Sequence, residues 1–237
     1  MANTHTLIAA LKYQGGVIIS SDSQVSDLAI RVRWPIEKLA QVGQHPLVVG
    51  FSDSMGRGQR ARAALGDGSF RSTTFDKCER VQSLMDAKLL PIYDEIKKLS
   101  RVPAGCQLPE IGLSALAAFW AGGEPHILER EMNCDSCFHS CFHAIGNGGP
   151  TAYAVYNTLG GKDELPQLEE RKALMAMLRI VRTSIRVDVA GVSEPVSVFI
   201  ISDGKVRRLS EDEVIANMQA VKEWEQGERD NFRRMRL

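Results

Sequence analysis

The sequence predicts an α+β fold: a four-layer α-β-β-α sandwich of two antiparallel sheets face to face, with helices on both outer sides. Three observations predict it. Strand-like and helix-like segments come in blocks, strands then two helices, twice over, followed by strands and one helix; blocked order favours layered α+β packing over a doubly wound parallel sheet. Tight-turn signals join neighbouring strands, as antiparallel pairing requires. No repeat, low-complexity stretch or linker divides the 237 residues, so one domain is expected, long enough to bury most of its apolar surface.

Thr6 to Tyr13 reads as a strand, Gln14-Gly15-Gly16 as a turn, and Val17-Ile18-Ile19 as the returning strand that ends at Ser20-Ser21-Asp22. Ile36 to Gln41 and Pro46 to Val49 form a second short strand pair. Ser54 to Leu65 and Asp76 to Leu99 read as helices. The latter places Val81, Leu84, Met85, Leu89 and Ile92 at helical spacing, and Pro91 is expected to kink it. Strands follow at Ile111 to Trp120, His126 to Glu131 and Cys137 to Ile145, then helices at Pro150 to Leu159 and Leu165 to about Arg186. Val196 to Ser202 and Lys205 to Leu209 pair through Asp203-Gly204, the strongest short hairpin signal. Ser210 with Glu213 is a capping box opening a C-terminal helix.

The 29 basic and 29 acidic residues balance. That argues against nucleic-acid binding driven by net charge and leaves self-association open. The apolar run Leu7 to Leu11 is too short for a signal-peptide core or a membrane span, and no basic region precedes it. Five cysteines without a secretion signal read as reduced thiols in a cytoplasmic protein.

The stretch Thr6 to Gln24 resembles the start of a mature proteasome β-subunit, and is similar to the bacterial proteasome-related peptidase that partners a hexameric unfoldase. In that family the nucleophilic threonine is followed by Asp at 16 residues and by Lys at 32; here those offsets fall on Asp22 and Lys38 without a gap. Gly50-Phe51-Ser52-Asp53 stands where the family has its small-residue oxyanion turn. Ala144 to Pro150 resembles the family's later Gly-Ser-Gly-Gly turn, with Asn147 in place of the serine.

The resemblance implies an N-terminal-nucleophile hydrolase fold and a threonine endopeptidase. Met1 to His5 becomes a candidate propeptide and residues 6–237 the peptidase domain. Thr6 would be the nucleophile, with Thr4 as the alternative at the cost of a two-residue insertion. A threonine hydroxyl needs a base, and the α-amine of a chain start, with an ordinary pKa of about 8, can serve near neutral pH. Lys38 would disfavour protonation of that amine, Asp22 would fix Lys38, and the backbone near Ser52 would stabilise the oxyanion. Asp188, with Ser193 and Asn147 as weaker support, would assist the amine. Val25, Gly50 and Ser54 are the substrate-binding candidates; a missing side chain at Gly50 is expected to leave a deep pocket for large apolar residues.

The expected partners are a peptide or unfolded-protein substrate and further copies of the chain in stacked rings. No cofactor, nucleic acid or membrane is expected. No Gly-x-x-x-x-Gly-Lys-Ser/Thr motif is present, so energy-dependent unfolding would need a separate ATP-dependent unfoldase. A catalytically inactive ring subunit and a small-molecule amidohydrolase of the same fold are the alternatives.

Cys134, Cys137, His139, Cys141 and His143 are rich in metal-ligand types, and Cys134 and Cys137 have zinc-like spacing. On a single strand, however, the last four would line one face over roughly 20 Å at about 3.3 Å per residue. Four ligands so spread cannot converge, although two of them with Cys134 could; buried packed thiols and imidazoles are the ordinary alternative, and no metal is expected. The arginines at 57, 60, 62, 233, 234 and 236 read as solvated or interface charges.

Overall fold

A computed structural model describes residues 6–27, 32–53, 55–66, 75–99, 112–131, 136–187 and 194–235. The elements run β1 (Ile8–Tyr13), β2 (Gly16–Asp22), β3 (Gln24–Asp27), β4 (Val32–Pro35), β5 (Leu39–Gln41), β6 (Leu47–Asp53), α1 (Met55–Gly66) and α2 (Cys78–Leu99). They continue as β7 (Leu113–Ala121), β8 (Glu124–Arg130), β9 (Cys137–His139), β10 (Phe142–Ile145), α3 (Gly149–Thr158) and α4 (Gly161–Glu164). The chain ends with α5 (Glu170–Val187), β11 (Val196–Ser202), β12 (Lys205–Arg208) and α6 (Glu211–Arg234).

One sheet has the strand order β10-β1-β2-β11-β12 and the other β5-β6-β7-β8-β9; β3 and β4 form a separate hairpin. Three apolar layers hold the elements together. Leu7, Ala9 and Leu11 face α3 and α5, with Met177, Ile180 and Val181 on the helical side. Their neighbours Ile8 and Ala10 face the second sheet, meeting Val48, Leu116 and Ala118. On the far side Leu113, Ala115 and Phe119 of β7 meet Val81, Met85 and Leu89 of α2. Successive side chains of a strand point to opposite faces, so a central strand apolar at every position must be covered on both sides. The α-β-β-α order is the packing that does this, and the expected fold class is observed.

The hairpins follow their turn chemistry. Gly15 takes φ +93° between Tyr13 and Gly16, while Asp203 and Gly204 take φ of 48° and 69°, the left-handed pair of a two-residue hairpin turn. Ser210 and Glu213 form the expected reciprocal cap: the Glu213 N–H donates to Ser210 Oγ at 3.2 Å and the Ser210 N–H to Glu213 Oε2 at 2.7 Å.

Three expectations need correction. The helix expected from Leu165 starts at Glu170; residues Leu165–Gln167 form a 3-10 turn and Leu168 is extended. Pro166 lacks an N–H for helix bonding, and the Leu168 carbonyl accepts from the Gln14 N–H at 3.0 Å. The strand expected from Ile36 starts at Leu39, because the Ile36 N–H donates to the Ser23 carbonyl at 2.7 Å and Lys38 turns toward Asp22. Most consequentially, Cys137 to Ile145 is two strands. β9 is an edge of one sheet and β10 an edge of the other, with the chain crossing between them at Ser140 and Cys141.

Candidate active site

The β1–β2 ladder sets the register from which the site is built. Ile8 pairs with Ser21, so Leu7 lies beside Asp22, whose N–H donates to the Leu7 carbonyl at 3.2 Å. The Asp22 carboxylate turns back to accept the Leu7 N–H at 2.8 Å. It also takes Lys38 Nζ on both oxygens, at 2.7 and 2.8 Å. Asp22 therefore grips the residue after Thr6 with one hand and Lys38 with the other. The pair is sealed, with side-chain exposures of 0% for Asp22 and 5% for Lys38. Burial lowers the Lys38 pKa from its ordinary value, and the Asp22 charge and hydrogen bonds oppose that shift. Unpaired, a charge so buried would cost several kcal/mol.

Thr6 is itself buried, and its carbonyl accepts from the Gly148 N–H at 3.2 Å. The Gly146–Gly148 turn is shaped around it. Gly146 has φ +86°, and a Cβ there would lie 2.2 Å from the Thr6 carbonyl oxygen. Only glycine meets both demands. Asn147, in the middle of this turn, is exposed.

Ser52 reaches the same end of the molecule by way of the second sheet. Leu39 pairs with Gly50 in an antiparallel register, so Lys38 lies outside that pair on the Ser52 side. Ser52 Oγ and Ser21 Oγ are buried side-chain atoms with no hydrogen-bond partner among the described residues. Buried hydroxyls ordinarily find a partner, and two unmet ones beside the Thr6 end of β1 make a polar lining within an otherwise apolar layer.

At Gly50 the missing side chain does not itself leave a space. A Cβ on Gly50 would lie 2.7 Å from Leu39 Cδ2 and 2.9 Å from Ile8 Cδ1, so the direction a side chain would take is already filled. Glycine here permits close approach of the two sheets. A cavity of about 1010 Å³ does open nearby, lined by Ser23, Ile36, Glu37, Glu194, Met218 and Lys222, among others. Thr6, Gly50 and Ser52 do not line it.

The structure thus brings together Thr6, Asp22 and Lys38, and sets Ser52 at the same end of the sandwich. Thr4, Ser54, Asp188 and Ser193 lie outside the described residues, as does the side chain of Val25. Ser21 is the polar residue that sequence reasoning passed over. Its place two residues beyond Ile19 on the inward face was readable from strand alternation. Among the described residues, no helix is long and apolar enough to cross a membrane.

No family model matches this chain, and no curated protein matches it. A solved structure does: Anbu (ancestral beta-subunit) from Yersinia bercovieri, with a TM-score of 0.73 over 98% of this chain and 97% of its own, at 16% identity. A likeness at that identity speaks for the fold, and the chain has the proteasome-like α-β-β-α sandwich that Anbu has.

Proposed function

We propose that this protein is a threonine endopeptidase of the proteasome type, with Thr6 as nucleophile after removal of residues 1–5. One observation carries the reading. Asp22 binds both the Leu7 N–H and Lys38 Nζ, tying a buried cation to the residue that follows Thr6. A strand threonine with only a structural role has no need of a sealed lysine held at the adjoining residue.

The chemistry follows from these groups. The α-amine of a trimmed Thr6 takes the Oγ proton, and Oγ attacks the substrate carbonyl. Lys38, kept charged by Asp22, disfavours protonation of the amine and stabilises negative charge developing on Oγ. Backbone donors beside Ser52 stabilise the tetrahedral oxyanion, and one such donor is commonly worth roughly 100-fold in rate or more. The leaving amine departs with the proton, an ester forms on Thr6, and water, deprotonated by the same amine, releases the acid. Rings of this chain around an enclosed chamber, fed by a separate unfoldase, fit the resemblance to the proteasome β-subunit family.

Intact mass spectrometry before and after an epoxyketone tests the reading, because that warhead needs a hydroxyl and a free α-amine on one residue. The expected result is a chain lacking Met1 to His5 with one adduct at Thr6, and no adduct in Thr6→Ala. A new terminus at Thr4 carrying the adduct moves the nucleophile within the same class. An untrimmed chain without adduct across several preparations overturns the peptidase and leaves a structural ring subunit.

A further inference from the structure

The crossing from β9 to β10 assembles a cluster that a straight strand could not. Ile127 pairs with His139 and Glu129 with Cys137 on one sheet edge; Ala10 pairs with His143 on the edge of the other. Ile127 and Ala10 both face the layer between the sheets. Paired residues share a face, as do residues two apart on a strand. His139, Glu129 and His143 therefore all point into the rim of that layer, from three strands and both sheets.

Their geometry is tight. His139 Nε2 lies 2.9 Å from Glu129 Oε2, and His143 Nε2 lies 2.8 Å from Glu129 Oε1. The two imidazoles stack at 3.6 Å between centroids, 17° from parallel. The three donor atoms all lie within 4.8 Å of one another. His143 Nε2 is buried, yet the Glu129 contact does not meet hydrogen-bond alignment, and it has no other described partner. Its Nδ1 is 2.7 Å from the Tyr153 hydroxyl.

We propose that Glu129, His139 and His143 form a site for a divalent transition-metal ion of the Zn²⁺ class, bridging the edges of the two sheets. Two imidazoles and one carboxylate suit such an ion. Bond lengths of about 2.0–2.2 Å put tetrahedral ligand atoms roughly 3.3 Å apart, so the two Glu129 contacts open slightly, and the stacked rings must turn out of parallel for both Nε2 lone pairs to converge on the ion. Two protonated rings stacked this closely would repel, whereas one dication shared by neutral rings and the carboxylate satisfies all three. With the metal on Nε2, His143 Nδ1–H donates to the Tyr153 oxygen, the outer-shell contact that fixes a ligating ring. The side chains keep 12 to 21% exposure, which gives an ion a path in and leaves room for water as a fourth ligand. Cys137 and Cys141 are not needed, which is why the cysteine spacing misdirects.

The test uses the full-length protein, stripped with EDTA and titrated with Co²⁺, whose visible absorption reports coordination, and with Zn²⁺ by calorimetry. One ion per chain is expected, with a rise in thermal midpoint. His139→Ala plus His143→Ala should abolish binding. Should that variant fail to fold, Tyr153→Phe keeps all three ligands and should bind roughly 10- to 100-fold more weakly. Absence of binding in the unaltered chain, Co²⁺ spectra unchanged in the histidine variant, or an affinity unchanged in Tyr153→Phe overturns the site and leaves a structural acid–imidazole contact.

Discussion

The Asp22–Lys38 pair and the Glu129–His139–His143 cluster are both acid–base contacts within one sandwich, but they are exposed to very different degrees. Asp22 and Lys38 are closed off at 0 and 5% exposure, with both carboxylate oxygens on the ammonium and one also on the Leu7 N–H. Glu129, His139 and His143 sit at the sheet rim at 13, 21 and 12%. The contact of His143 Nε2 with Glu129 is close, at 2.8 Å, but off the hydrogen-bond axis. A sealed and satisfied pair can hold a backbone and act on a neighbouring group, but it has no room for a ligand of its own. A partly exposed rim cluster with a poorly aligned contact can still admit a ligand. Buried charge alone therefore does not distinguish a scaffold from a binding site; access and hydrogen-bond completeness do.

Breaking the sealed pair should have the largest effect. Asp22→Ala strands the Lys38 charge and should cost about 3–5 kcal/mol, read from urea unfolding, and should abolish epoxyketone labelling. Glu129→Gln in metal-free protein should cost only about 1–2 kcal/mol; equal losses for the two variants would erase the distinction. Next is Gly146→Ala, which adds a Cβ 2.2 Å from the Thr6 carbonyl at φ +86°. It should cost about 1–3 kcal/mol and slow labelling, and an unchanged labelling rate would detach this turn from the site. Gly50→Ala should cost about 1–3 kcal/mol by overpacking Leu39 and Ile8, without shifting cleavage preference; an altered preference in a peptide panel would revive a pocket there. The pH profile of labelling sharpens the role of Lys38. Its pKa is lowered by burial, so the rate should fall as pH rises through a value below the ordinary 10.5. A rate still climbing at that point would remove the Lys38 charge from the reaction. Ser210→Ala, on the exposed cap of α6, should cost only about 1 kcal/mol and leave labelling untouched.

The layer order was legible because it rests on alternation and turn chemistry, which are local. Asp22 and Lys38 were legible only through the offsets of the family that the sequence resembles; the uninterrupted first hairpin accounts for the place of Asp22 beside Leu7. What escaped is tertiary. Period two ran unbroken from Cys137 to His143, and nothing in those residues announces that the chain leaves one sheet at Ser140 and enters the other. The occupant of the space over Gly50 escaped for the same reason. Leu39 is its ladder partner, but Ile8 arrives from the opposite sheet. The β3–β4 hairpin was also missed, since strands of four residues leave little pattern to read.

The contacts described around Thr6 use its carbonyl and the N–H and carbonyl of Leu7, all of them on the C-terminal side of the Thr6 Cα. None of these particular contacts uses the Thr6 nitrogen. Trimming the chain at the bond to that nitrogen would unmask an amine in a setting already built, so maturation would resemble removing a cap from a finished tool more than assembling one. Backbone amide exchange in β1, β2 and β10 should then look the same before and after trimming, with the difference confined to the new chain end.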